Sequence, residues 1–187
     1  SRGLGDVYKR QLLQEQGLQA GELPETWNLK NPEPIIQIHK AYLAAGADII
    51  LANTFGANRF KYGEDLEKIV TAGVANAKKA VAESGKKAYV ALDIGSTGKL
   101  LKPMGTLDFE EAVGVFAEII RVGEKAGADL IEIGIPFSDP TAEGVVIQEA
   151  NIRSLGNGMT TDGVFEIVKR VREQSQIPLA FMTYVNP

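Results

Sequence analysis

Glu132 breaks the otherwise apolar run Asp129–Ile135 (Asp-Leu-Ile-Glu-Ile-Gly-Ile). Side chains alternate across a strand, so Ile131, Ile133 and Ile135 take one face while Glu132 and Gly134 take the other. A carboxylate in such a run is costly unless it is paired, hydrated or used. Burial also raises its pKa, which suits general acid–base work. The plain alternative is an ion pair with a Lys or Arg on a neighbouring strand, but no predicted strand contains one. The loop that follows, Pro136–Gly144, is rich in turn formers and brings a second acid, Glu143, back over the strand end. Glu132 and Glu143 are therefore the candidate acid–base pair. The competing view of Glu143 is a solvated loop acid. Asn53, Thr54, Asp93, Thr183 and Tyr184 are the polar residues at the other predicted strand ends.

Other residues that invite a functional role are weaker. His39 stands mid-helix beside Lys40 and is expected to face solvent or to serve packing. Trp27, in Pro24-Glu25-Thr26-Trp27, is expected to be a hydrophobic anchor. Asp93–Lys99 (Asp-Ile-Gly-Ser-Thr-Gly-Lys) suggests a phosphate loop. It fails as a Walker A motif, because Leu100 stands where Ser or Thr is required and no helix follows directly. The same run is faintly similar to a turn of sugar kinases with the actin-like fold. There the turn joins two hairpin strands, whereas here two helix–strand units precede it.

These candidates need a frame that gathers strand ends. Helical periodicity begins after Asn31-Pro32-Glu33-Pro34, with proline tolerated in the first turn. It runs through Ile35, Ile38, Tyr42 and Leu43 to Gly46. Further helices are predicted at 64–84, after Asp108 with Glu111 as a capping-box partner, and at 161–174. Short, nearly continuous apolar runs at 48–53, 88–94, 129–135 and 178–184 read as parallel strands buried on both faces. Their starts are 40, 41 and 49 residues apart, and Ala-Gly-Ala-Asp recurs at 45–48 and 126–129. Strands alternating with helices imply right-handed βαβ units. The predicted fold class is α/β, a partial (β/α)8 TIM barrel of about four βα units, since a full barrel takes roughly 250 residues. A doubly wound open sheet is the second choice, but no Gly-x-Gly-x-x-Gly turn follows a predicted strand. In a barrel the site lies at the C-terminal strand ends, where the polar residues above fall.

Composition narrows the chemistry. The chain has 187 residues, 44% of them hydrophobic and 24% charged, with a net charge of -4. These are values of a globular domain, with no basic cluster for nucleic acid and no apolar run long enough for a membrane span. With no cysteine and one histidine, thiolate nucleophiles, disulfides and histidine-rich or cysteine-ligated metal sites are excluded. The expected compartment is the cytoplasm. Ser1–Gln11 carries no periodicity and reads as an adaptor-like tail outside the fold, and both chain ends read as truncated.

Two families share the remaining residues. From about residue 12 to 129 the chain resembles the homocysteine-binding barrel of cobalamin-dependent methionine synthases and other homocysteine S-methyltransferases. The matching pieces are Ile38–Tyr42, Gly46–Ile50 with Asn53–Asn58, and Leu92–Leu101. This resemblance implies that Asn53, Thr54 and Asp93 line a homocysteine site, with zinc activating the thiol. The family's zinc-binding cysteines are absent, so no cofactor is expected to be retained. From about residue 126 to 187 the chain resembles the alpha subunit of tryptophan synthase, above all in Ile131–Pro140, with Ala142–Gly144, Ile147–Ala150 and Met182–Tyr184 in support. That resemblance implies retro-aldol cleavage of indole-3-glycerol phosphate and the beta subunit as partner. It makes Glu132 the principal acid–base group and lets Tyr184 line the indole pocket. It places Glu143 where the family usually has an aspartate that handles the indole nitrogen's proton. The expected domains are the tail 1–11, a methyltransferase-like part 12–129 and a lyase-like part 130–187, joined within Ala126–Leu130. An inactive fragment of mixed parentage is the expected function. The alternative is a half-barrel binding module that closes by self-association.

Overall fold

The computed structural model describes residues 4–103, 105–139, 145–156, 158–173 and 175–184. Its centre is one parallel sheet of β1 (Ile49–Leu51), β2 (Tyr89–Asp93), β3 (Leu130–Gly134) and β4 (Leu179–Met182), ordered β1-β2-β3-β4. Each strand lies within the run predicted for it and is shorter by one or two residues at each end. The long helices are α3 (Pro32–Ala44), α5 (Leu66–Ser84), α6 (Phe109–Lys125) and α8 (Thr161–Arg172). Consecutive parallel neighbours with a helix in each crossover form the partial barrel that the spacing predicts.

Four further helices lie outside the predicted ones. They are α1 (Leu4–Glu15), the single turns α2 (Trp27–Lys30) and α4 (Arg59–Tyr62), and α7 (Val145–Gly156), which occupies part of the stretch expected to be loop.

One core spans the whole sheet. Ile50 and Val90, partners in register, and Leu92 and Ile131, likewise partners, are buried with Val74 of α5 and Val115 and Ile119 of α6. Gly123 is what lets α6 lie close. A Cβ there would come within 2.4 Å of the Leu92 side chain. Strand alternation therefore leaves Ala91, Asp93, Leu130, Glu132 and Gly134 on the opposite, inner face.

The repeated Ala-Gly-Ala-Asp has a structural cause. Gly46 and Gly127 take φ of 98° and 91°, left-handed values that glycine adopts without strain. Each ends its helix in the same pair of bonds, Gly46 N to Leu43 O with Ala47 N to Tyr42 O, and Gly127 N to Glu124 O with Ala128 N to Gly123 O. The Asp129 carboxylate then accepts from the Val90 amide and from Lys78 of α5, each at 2.7 Å. That knot ties α5, β2 and β3 together at the N-terminal ends of the strands. The capping box expected at α6 does not form. Asp108 makes no side-chain cap bond and pairs with Lys102 at 2.9 Å instead.

Helix α1 begins within the stretch set apart as a tail. Its Leu13 is fully buried in a second small core with Leu18, Trp27, Ile35 and Ile38. Trp27 is thus the anchor expected of it, and its indole N–H donates to Glu22 at 3.0 Å. His39 is buried at 1% exposure, so of the two expectations for it, packing holds.

Candidate active site

The tips of β1 and β2 are joined by a side chain. Thr54 Oγ1 donates to the Asp93 carbonyl at 2.8 Å and accepts from the Asp93 amide at 3.2 Å. Asn53 is also committed inward. Its amide donates to the Pro24 carbonyl at 3.0 Å and to Asn28 Oδ1 at 2.9 Å. Asn28 returns the bond to the Asn53 carbonyl at 2.8 Å and reaches the Ile69 carbonyl of α5. These two of the four residues predicted for substrate contact are buried and clasp β1 to its neighbours.

Beside them, Glu25 is a buried carboxylate that accepts from the Gly56 amide at 2.6 Å and from the Tyr62 hydroxyl at 2.7 Å. Burial, and then the bond to Glu25, push the Tyr62 hydroxyl far above its ordinary pKa.

Asp93 closes β2 on the inner face and is 6% exposed. One charged partner comes from α1. Lys9 Nζ lies 3.9 Å from Asp93 Oδ2 and donates to the Leu51 carbonyl at 3.2 Å. In β1 the Asp48 carbonyl and the Ala52 amide bond to β2, so the alternate Leu51 carbonyl points to the outer edge of the sheet. Lys9 therefore covers an edge group and a carboxylate with one ammonium. No sequence signal singled it out, because an isolated lysine in a polar helix matches no motif.

Glu132 is the register partner of Asp93 across β2 and β3, and of Ala180 across β3 and β4. It is half-buried on the inner face, as alternation predicts. Register partners on adjacent strands project from the same face about 5 Å apart at the backbone, so both acids belong to one end of the sheet. Beyond them Tyr184 stacks on Phe137 with ring centroids 5.1 Å apart, forming an aromatic wall between the ends of β3 and β4. Glu143 lies outside the described residues. The structure thus gathers Asp93, Glu132 and Tyr184 at one end of the sheet and turns Asn53 and Thr54 into its supports.

The loop after β2 does not cradle phosphate with its lysine. Lys99 Nζ lies 3.7 Å over the Phe60 ring, a cation–π contact.

Residues 104–187 match the tryptophan synthase alpha chain family. Tryptophan synthase alpha chains of Bacillus thuringiensis subsp. konkukian and of Bacillus cereus strain G9842 are 43% identical over 109 residues, which cover 58% of this chain and 37% of theirs. The chain thus spans little more than a third of the length of these curated relatives. A stretch of 109 residues in a chain of 187 cannot begin later than residue 79. The likeness therefore takes in β2 and Asp93, ahead of the 126–130 junction.

Among solved structures, the metallated form of the homocysteine methyltransferase MmuM from Escherichia coli superposes with a TM-score of 0.59 at 16% identity, covering 92% of this chain and 80% of that one. Its apo form gives 0.52 at 17% identity, covering 91% and 77%. At such identities the likeness is one of fold, and that fold is the partial barrel described above.

A thiolate zinc centre of the kind expected of methyltransferases does not fit the donors present. The chain has no cysteine, and no group of three or more candidate metal ligands occurs among the described residues. None of the described helices is long and apolar enough to cross a membrane.

Proposed function

We propose that the chain carries the acid–base end of an indole-3-glycerol phosphate lyase site, with Glu132 as its principal acid–base group, on a barrel fragment that is inactive alone. The observation that carries this is the place of Glu132. It stands on the inner face at a strand end, accessible to a ligand, inside the segment that matches the tryptophan synthase alpha chain family. A retro-aldol cleavage needs a base for the hydroxyl proton and an acid for the departing carbon, and a half-buried carboxylate suits both. Tyr184 and Phe137 offer a flat apolar wall for an indole ring. Glu143 is assigned the indole nitrogen's proton. The tryptophan synthase beta subunit is the protein partner of this reading, and the cytoplasm its compartment. The segment ahead of the stretch that resembles the alpha chain contributes a methyltransferase-like barrel wall without methyl transfer, so the chain is a fragment of mixed parentage.

The test is indole release with the beta subunit present. The chain alone is expected to stay at background. Adding the remaining barrel segments of a Bacillus alpha chain should restore turnover, and Glu132→Gln should lower it by about 100-fold or more. Turnover untouched by Glu132→Gln would sink the assignment, and turnover by the chain alone would show the site to be complete.

A second reading, a half-barrel module that closes on another copy, has one observation in its favour. Inner-face residues Ile49 and Tyr89 are 49% and 47% exposed beside a four-stranded sheet with open edges. It requires a single dimer peak in size-exclusion chromatography with light scattering. A monomer at working concentration removes it.

A further inference from the structure

The described sheet ends in β1 on one side and β4 on the other. Alternate main-chain groups of an end strand point away from the ladder, which makes such an edge a template for another strand. In β1 the Asp48 carbonyl and the Ala52 amide turn to β2, so the N–H and C=O groups of Ile49 and Leu51 turn outward. All neighbouring strands are parallel, so the β4 edge of a second copy would continue the sheet beyond β1. That contact joins unlike surfaces head to tail, and such contacts run on into rings or filaments. Covering one of the two edges stops both. Proteins commonly protect an edge by laying a helix over it.

Helix α1 is placed to do this. Lys9 Nζ donates to the outward Leu51 carbonyl at 3.2 Å and lies 3.9 Å from the Asp93 carboxylate. Leu13, one turn further on, is fully buried with Leu18, Trp27, Ile35 and Ile38, which seats α1 on α3 beside β1. This seat is separate from the main core. No residue of α1 enters the core beneath the sheet, and Tyr42 is the described side chain that packs against both. The helix can therefore lift away without opening the packing that holds the strands together.

We infer that α1 is a removable guard on the edge of β1, and that the edge beneath it takes the β4 edge of a second copy once α1 leaves. Guard and second copy compete for the same outward groups of Ile49 and Leu51, so association is coupled to the opening of α1. The inference goes beyond both readings above. A lyase site does not need it, and a pair of half-barrels closes only after α1 has left β1.

Native-state hydrogen exchange on the unmodified chain reads the opening of α1. Its amides should exchange through a local opening, about 100-fold or more faster than those of β2. Leu13→Ala removes the side chain that seats the helix and should multiply that opening by about 30-fold or more. Gln11→Gly with Gln14→Gly, at two exposed positions, loosens the helix by about tenfold without touching a core. Light scattering should then detect association at a protein concentration lower by about the same factor in each variant. Ile49→Pro removes an outward N–H that β2 does not use, and added to either variant it should restore the behaviour of the unmodified chain. Unchanged association in a variant whose α1 exchanges faster would overturn the inference. So would association that survives Ile49→Pro, or α1 amides that exchange only when the whole protein unfolds. The unmodified chain and the exposed double variant decide the matter if Leu13→Ala fails to fold. Lyase turnover, present or absent, bears on none of these outcomes.

Discussion

Replacing His39 with leucine should stabilise the protein and abolish a large loss of stability between pH 6.5 and 3. The imidazole lies at 1% exposure in α3, and neither ring nitrogen has a hydrogen-bond partner among the described residues. Burial, reinforced by the nearby Lys9, lowers its pKa from the ordinary 6.5 to about 3. In the folded state His39 therefore stays neutral, while the unfolded chain takes up a proton near pH 6.5. Over that window the unfolded state binds more protons, so stability is full above pH 6.5 and falls as the pH falls towards 3. The slope is about 1.4 kcal/mol per pH unit, or about 2 kcal/mol by pH 5. Leucine has similar volume and no polar atom to strand, so His39→Leu should gain about 1 kcal/mol at pH 7. At pH 5 the gap between variant and wild type should widen to about 3 kcal/mol. Urea unfolding at the two pH values measures both. Parallel pH dependence in the two proteins would show that the folded imidazole titrates normally.

The barrel was legible because its signals are local. Parallel strands covered by helices must be apolar almost throughout, so runs such as Asp48–Asn53 and Ala88–Ile94 declare themselves without an alignment. Ala-Gly-Ala-Asp was visible for a reason now apparent, a glycine with positive φ ending each helix and an aspartate opening each strand. The inner-face position of Glu132 followed from alternation alone. What escaped notice was whatever depends on long-range partners. Asn53 and Thr54 look like ligand contacts in a strand-end motif, but their partners are Pro24, Asn28 and Asp93, between 25 and 39 residues away. His39 beside Lys40 carries no mark of burial, which comes from a helix with no periodicity of its own. The same holds for α1. Its leading residues show no helical repeat of apolar positions, and only contact with β1 and β2 gives Lys9 a place.

That place makes Lys9→Met the substitution with the largest expected effect on stability. The ion pair with Asp93 is buried, with both side chains under 10% exposed. Surface pairs contribute little, but removing one member of a buried pair takes its compensation from the other charge, at a cost of about 3–5 kcal/mol. The Leu51 carbonyl would also lose its donor on the sheet edge. Replacing both charges together acts differently, because the desolvation of each ion disappears along with their attraction. Lys9→Met with Asp93→Leu should recover most of the loss. A double-mutant cycle in urea measures the coupling directly. A cost below about 1 kcal/mol for Lys9→Met would place Lys9 with the exposed pairs and detach α1 from the strand tips. The full cost, recovered in the double variant, would establish residues 4–15 as a working part of the barrel wall, with the cation beside Asp93 supplied by the segment least expected to contribute to a site.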